Sequence, residues 1–223
     1  MKCTIVKRLL ANTVVTMKFI AVLLCICLSS ASAATLKLTV LNAAKQPLPY
    51  TVVELKHPGY PAVPLSEDVK VLQQDLNFQP FVSVIPQGSM VEFPNLDKTR
   101  HHVYSFSAAK TFELRLYAGK PEAPVMFDQA GVVTLGCNIH DHMLAYVYVS
   151  ANRYAAVTDA NGEVQFTDLP QTDYTLGLWH PWQKQALADS NISIASGVNS
   201  KMIELDIALQ ALPKAPKKGF GDY

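Results

Sequence analysis

Hydrophobic and polar positions alternate along this chain with a period of two. In residues 35–41, Leu36, Leu38 and Val40 share one face. In residues 112–117, Phe112, Leu114 and Leu116 oppose Glu113, Arg115 and Tyr117. Further β-rich runs fall at 50–55, 69–72, 81–85, 90–93, 103–106, 131–135 and 144–149. Between them, residues 43–49 read as a turn region, and residues 57–66, with Pro58, Gly59, Pro61 and Pro64, read as a loop. No long stretch carries the helical period. Short strands repeating about every ten residues predict an all-β sandwich or barrel.

After Ser150 the texture changes. Thr158-Asp159-Ala160-Asn161-Gly162 predicts a tight turn, with Asn-Gly suited to positive φ. Strands follow at 164–166 and at 174–179, the latter stopped by Pro181, and two more are expected at 192–194 and 202–208. The stretch 211–223 is rich in Lys, Pro and Gly and is expected to be disordered.

The first 33 residues read differently. Lys18 opens a short basic region, 19–28 is an apolar run, and Ala31-Ser32-Ala33 has the small residues of a cleavage site. This is the pattern of a secretory signal peptide, with Met17 a plausible true start, and the run is too short to span a bilayer. Removal of residues 1–33 takes away Lys2, Lys7, Arg8 and Lys18 and no acid, so the formal charge falls from +1 to −3. That balance argues against nucleic acid as a partner. Cys3, Cys25 and Cys27 go as well, leaving Cys137 alone. A lone thiol in an oxidising compartment is a liability unless it is buried or ligated. No second apolar span follows, so the mature chain is expected to have no membrane span and to be exported to the periplasm.

Cys137-Asn138-Ile139-His140-Asp141-His142-Met143 is the chemically dense segment: a thiol, two imidazoles and a thioether in seven residues. Two His and one Cys in a plane, with a weak axial Met, form the blue-copper electron-transfer set. The second His must come from elsewhere, and the chain offers His101 and His102. Adjacent strand residues face opposite sides, so only one of these can point inward. A Cys-x2-His pair is also half of a zinc site, with His142 or Asp141 as a further ligand, but Met is a poor zinc ligand and Met143 favours copper. His57 and His180 precede prolines and read as structural. No nucleophile–base–orienter set and no Gly-rich phosphate loop is present, which argues against an enzyme.

Residues 69–150 resemble a cupredoxin. Cys-x2-His-x2-Met is similar to the amicyanin loop, and the stretch from Asn77-Phe78-Gln79-Pro80 to Phe93-Pro94-Asn95 resembles the family's approach to its first His ligand. In that family an Asn precedes the ligand by six residues and Val follows two after it. Asn95 and His101-His102-Val103 match that spacing. The resemblance therefore implies His101, Cys137, His140 and Met143 as ligands of one type 1 copper, with Asn95 as a brace and His142 on the rim. It also implies docking of partners on a small apolar patch around His140, Leu144 and His142. The same segment is similar to bacterial exported proteins often labelled methylamine utilization proteins.

The ends carry a second resemblance. Leu36–Val40, Gln46-Pro47-Leu48-Pro49 and 50–55, with 156–166, Leu169-Pro170 and Tyr174-Thr175-Leu176, are similar to carboxypeptidase regulatory-like β-sandwiches. The expected organisation is a signal peptide at 1–33, a split sandwich from 34–66 and 151–210, a cupredoxin inserted at 67–150, and a tail at 211–223. The alternative is a plain cupredoxin whose first strands are 35–55, with a C-terminal appendage. The fold class expected is all-β: a cupredoxin-like Greek-key β-sandwich plus a small second β-sandwich. The function implied is single-electron transfer between redox partners, such as a dehydrogenase, a cytochrome or an oxidase. The alternatives are periplasmic copper handling and a metal-free scaffold.

Overall fold

The structure is a computed structural model that describes residues 34–121 and 123–214. The signal peptide expected at 1–33 and most of the tail expected at 211–223, from 215 on, lie outside the described residues. All regular structure among the described residues is β-strand. In chain order the strands are β1 (Ala34–Asn42), β2 (Val52–Lys56), β3 (Val69–Lys70), β4 (Leu72–Gln74), β5 (Asn77–Gln79), β6 (Val82–Pro86), β7 (Ser89–Glu92), β8 (His101–Ser107) and β9 (Lys110–Tyr117). They continue with β10 (Val125–Phe127), β11 (Gly131–Gly136), β12 (Leu144–Ser150), β13 (Tyr154–Val157), β14 (Glu163–Leu169), β15 (Asp173–Trp179), β16 (Ser190–Ser193) and β17 (Val198–Leu205). The all-β class that the alternation predicts is the one observed.

Two sandwiches share the chain. Sheets β14-β1-β17 and β13-β2-β15-β16 enclose a core that includes Leu36, Leu38, Val40, Leu55, Phe166 and Leu176. The five-stranded sheet β6-β12-β11-β8-β9 and the sheet β10-β7-β3 enclose a second core that includes Ile85, Val91, Phe93, Phe127, Leu135 and Val147. The hairpin β4-β5 is a small sheet of its own. Both cores follow from side chains at alternate positions entering one face. In β1, Leu36, Leu38 and Val40 are buried, as the period-two pattern requires.

Strand β12 is held on both faces. Ala145, Val147 and Val149 enter the second core. Tyr146 and Tyr148 point the other way, into a cluster with Val52 of β2, Val82 of β6 and Trp179 of β15. Tyr146 and Trp179 meet edge to face at 5.4 Å between ring centroids. Beneath them lies Glu54 of β2, a buried carboxylate. It accepts hydrogen bonds from Tyr148 Oη at 2.8 Å, Ser150 Oγ at 2.5 Å and Asn152 Nδ2 at 3.0 Å. Burying a carboxylate is costly unless donors replace its water, and three donors do so here.

Several elements differ from the sequence expectation. The single strand expected at 69–72 is two, because β3 pairs with β7 while β4 turns away to pair with β5. The hairpin β4-β5 was not expected, since its two-residue turn, Asp75-Leu76, lacks Gly and Asn. Strand β8 begins two residues earlier than expected, at His101, and a bulge separates its pairing at His101 from that at Val103. The strand expected at 202–208 is displaced to Val198–Leu205, where β17 runs parallel to β1. In the tail, Leu212 packs against the cluster around Val52 and Phe81.

Two substitutions test this packing. Glu54→Gln puts an NH2 where a donor now points, and should lower unfolding free energy by about 1–3 kcal/mol in a urea titration. Gly136→Ala should also destabilise, by about 1–3 kcal/mol, because its Cβ would lie 2.8 Å from the Tyr104 ring. A Cβ at position 136 requires the Tyr104 ring to move.

Candidate metal centre

Three elements deliver the site. Strand β8 opens with His101, whose side chain is fully buried. Strand β11 ends at Gly136, and the connection to β12 carries Cys137, His140 and Met143. Antiparallel pairing of β11 with β12, from Gly131↔Val149 to Gly136↔Leu144, fixes both ends of that loop. The pair Gly136↔Tyr104 fixes β8 beside it. Within the loop, the Met143 amide donates to the His140 carbonyl at 2.8 Å, closing a turn.

His101, Cys137 and His140 converge, each offering a ring nitrogen or sulfur within 4.8 Å of the other two. His101 Nδ1 lies 3.2 Å from His140 Nδ1, and Cys137 Sγ lies 3.8 Å from His140 Nδ1. Cys137 and Met143 are both buried members of the core between the two sheets. Cys137 is a free thiol, and both it and Met143 border one open surface groove below Tyr104 and Phe106. His140 is only half-buried, so the group reaches solvent through that residue.

His102 faces the other way, as strand geometry requires. Its Nε2 lies 3.1 Å from Glu113 Oε1 on β9. The contact is out of line for a hydrogen bond, and Nε2 is otherwise without a partner. Of the two candidate histidines, His101 is the one brought to Cys137 and His140.

Asp97 sets the state of His101. Its Oδ2 lies 2.8 Å from His101 Nε2; a carboxylate oxygen only accepts, so Nε2 carries a proton, and Nδ1 is the ring nitrogen that faces His140. Burial would raise the Asp97 carboxyl, but the His101 hydrogen bond and the amides of Leu76 and Asp75 outweigh it and hold the group below the usual carboxylate range. Those amides donate at 2.8 Å from Asp75 and 3.0 Å from Leu76. Asp75 and Leu76 both have left-handed backbone, with φ of 55° and 57°. For a non-glycine residue that costs roughly 1–2 kcal/mol, which the carboxylate cap offsets.

Asn95 braces the same segment. Its side chain donates to the carbonyls of Thr99 at 2.9 Å and Tyr117 at 3.0 Å, and accepts from the Asp97 amide at 2.9 Å. Tyr117, paired with His101 across β9, donates its hydroxyl to the Phe93 carbonyl at 2.5 Å. Burial pushes that phenol up to about 12, so it stays a donor. His140 is lowered from the ordinary histidine value, first by burial and then by the neighbouring His101 and His142, with Asp97 opposing. A neutral imidazole is the form that ligates a metal.

The remaining histidines are elsewhere. His142 Nε2 is 2.9 Å from the Leu76 carbonyl. His180 is buried, with Nε2 on the Pro49 carbonyl at 3.0 Å and Nδ1 accepting from the Trp182 amide at 3.1 Å. His57 accepts from the Gly59 amide at 3.0 Å. Sequence reasoning missed Asp97 and the Asp75-Leu76 turn. An Asp four residues before a His is a common arrangement, and only the fold shows that its carboxylate reaches the ring.

No family model matches the chain, and no curated protein matches it. Solved structures align with part of it. A purple cupredoxin from Nitrosopumilus maritimus is 21% identical, covers 37% of this chain and all of its own, and gives a TM-score of 0.34. A Cu-containing nitrite reductase from Thermus scotoductus is 21% identical over 49% of this chain and 28% of its own, with a TM-score of 0.35. Amicyanin from Paracoccus versutus is 17% identical over 44% of this chain and 97% of its own, with a TM-score of 0.33. Each likeness spans less than half of this chain at a low TM-score, so what the site can do rests on its own donor atoms.

Proposed function

We propose that this chain is a periplasmic type 1 copper protein of the cupredoxin kind that carries single electrons between redox partners. The convergence of His101, Cys137 and His140 in a mostly buried site carries this reading. Two imidazoles and one thiolate, with a thioether as a weaker fourth donor, are the set such a copper takes, and Met143 would supply the thioether. Met143, buried in the same core as Cys137, favours copper over zinc, because a thioether is a poor zinc ligand. One copper held there would provide a one-electron couple.

The protein's own residues have defined tasks in this reading. Asp97 holds the His101 proton on Nε2, so Nδ1 faces inward as a donor. Cys137 and Met143 are themselves buried, at the edge of the groove below Tyr104 and Phe106. The half-buried His140 is the exit toward a partner, which would be a dehydrogenase, a cytochrome or an oxidase docking on a small interface suited to rapid release. Residues 67–150 would be the copper-carrying unit. They would be inserted in a carboxypeptidase regulatory-like sandwich from 34–66 and 151–210, which serves as a mount. The pairing of β1 and β2 with strands that follow β12, and not with those between, supports that division.

The test is Cu(II) addition to the purified mature protein. An intense visible thiolate charge-transfer band at one copper per chain is expected, and Cys137→Ser should abolish it. Colourless, easily chelated copper would favour a handling role instead, and no stoichiometric copper would favour a scaffold. Asp97→Ala should weaken copper binding by about 10–100-fold while leaving the band in place at saturation, since it removes the partner that orients His101.

A further inference from the structure

The proposed ligand set leaves His142 unused, and its side chain reaches the Leu76 carbonyl on a distant turn. We propose that His142 is a positioning residue. Its Nε2–H donates to the Leu76 carbonyl and ties the Cys137–Met143 loop to the same turn that, through Asp97, holds His101. This rests on the copper reading for its purpose, though not for its geometry.

A carbonyl oxygen only accepts, so the 2.9 Å contact requires the proton on His142 Nε2. The turn that receives it is anchored from three sides. Its two amides end on the two oxygens of Asp97. Its strand β4 is stitched to the segment before His101 by the Gln73 amide on the Pro94 carbonyl at 2.9 Å and the Leu96 amide on the Gln73 carbonyl at 2.8 Å. Asn77 Nδ2 donates to the Asp75 carbonyl at 2.7 Å. Two consecutive left-handed residues, one of them Leu, persist only where the surroundings hold them, and such strain gathers at functional sites.

The result is a bracket running from His142 through Leu76 and Asp97 to His101. Its two ends are the two parts of the site that come from distant sequence. His101 faces His140 across 3.2 Å, and His140 stands only two residues from His142. The loop itself exposes Asn138, Ile139 and Asp141 to solvent, so packing alone does not fix its position. The bracket sets the separation of β8 from the loop by hydrogen bonds to a rigid turn. A donor set that is placed before the metal arrives moves little when the metal changes charge.

Wild type, His142→Phe and His142→Gln, each as the full mature chain, decide the matter. Gln places an amide nitrogen as many bonds from Cα as His Nε2, and Phe keeps a ring without the donor. In metal-free protein, amide hydrogen exchange in 137–143 and in 74–79 should accelerate together in His142→Phe, by about tenfold or more, and return toward wild type in His142→Gln. With Cu(II), His142→Phe should shift or broaden the visible and EPR signals and lose copper faster, and Gln should restore both. If Phe leaves exchange and spectra as in wild type, His142 is a rim residue and the proposal fails. It fails equally if Phe and Gln disturb them alike, because then the ring's packing matters and its donor does not. A wild-type protein with no thiolate band overturns the copper reading alone, and the exchange measurement still decides the bracket.

Discussion

The site depends on one hydrogen bond, from His101 Nε2 to Asp97. A fully buried imidazole has two nitrogens, and which one carries the proton decides what the other can do. Asp97 places a proton on Nε2 by accepting at 2.8 Å, so Nδ1 is the nitrogen aimed at His140 Nδ1, 3.2 Å away. Without the carboxylate, a proton on Nδ1 would put an N–H where a ligand atom is needed. Burial would raise the carboxyl; the His101 hydrogen bond first, and then the amides of Leu76 and Asp75, hold it low. A strained turn, an acid and an imidazole therefore stand in series, each stabilising the next.

Strand β12 links that chemistry to the rest of the molecule. It begins where the Cys137–Met143 loop ends, sends Ala145, Val147 and Val149 into the core that contains Cys137, and sends Tyr146 and Tyr148 into the other sandwich. A strand buried on both faces has little freedom to shift register, because a one-residue slip would exchange its small and aromatic faces. Glu54 fixes that register from the opposite sandwich through Tyr148 and Ser150. The second sandwich carries no metal-ligating cluster among the described residues, and its physical contribution is to hold the C-terminal anchor of the loop still.

Much of this was legible in the chain, for a reason that can be stated residue by residue. Leu36, Leu38 and Val40 alternate because one face of β1 is buried, and burial writes itself into every second residue. Cys137, His140 and Met143 sit within seven residues, so their proximity needs no tertiary fold to suggest it. The choice between His101 and His102 was half legible: alternation says that one points inward and the resemblance says which. The hairpin β4-β5 was not legible, because Asp75-Leu76 is a poor turn sequence whose conformation is imposed by Asp97, a residue 21 positions after Leu76.

The sequence by itself determined the all-β class, the grouping of a thiol, imidazole and thioether in one loop, and the solitary Cys137 once residues 1–33 are set aside. These are local properties, carried by period, composition and short spacing. Tertiary structure alone decided which acid meets His101 and which turn His142 reaches. Each of those depends on atoms brought together from the β4–β5 turn, the segment entering β8 and the loop between β11 and β12. A hydrogen bond of 2.8 or 2.9 Å between a side chain and a distant turn leaves no periodic trace in the sequence that makes it.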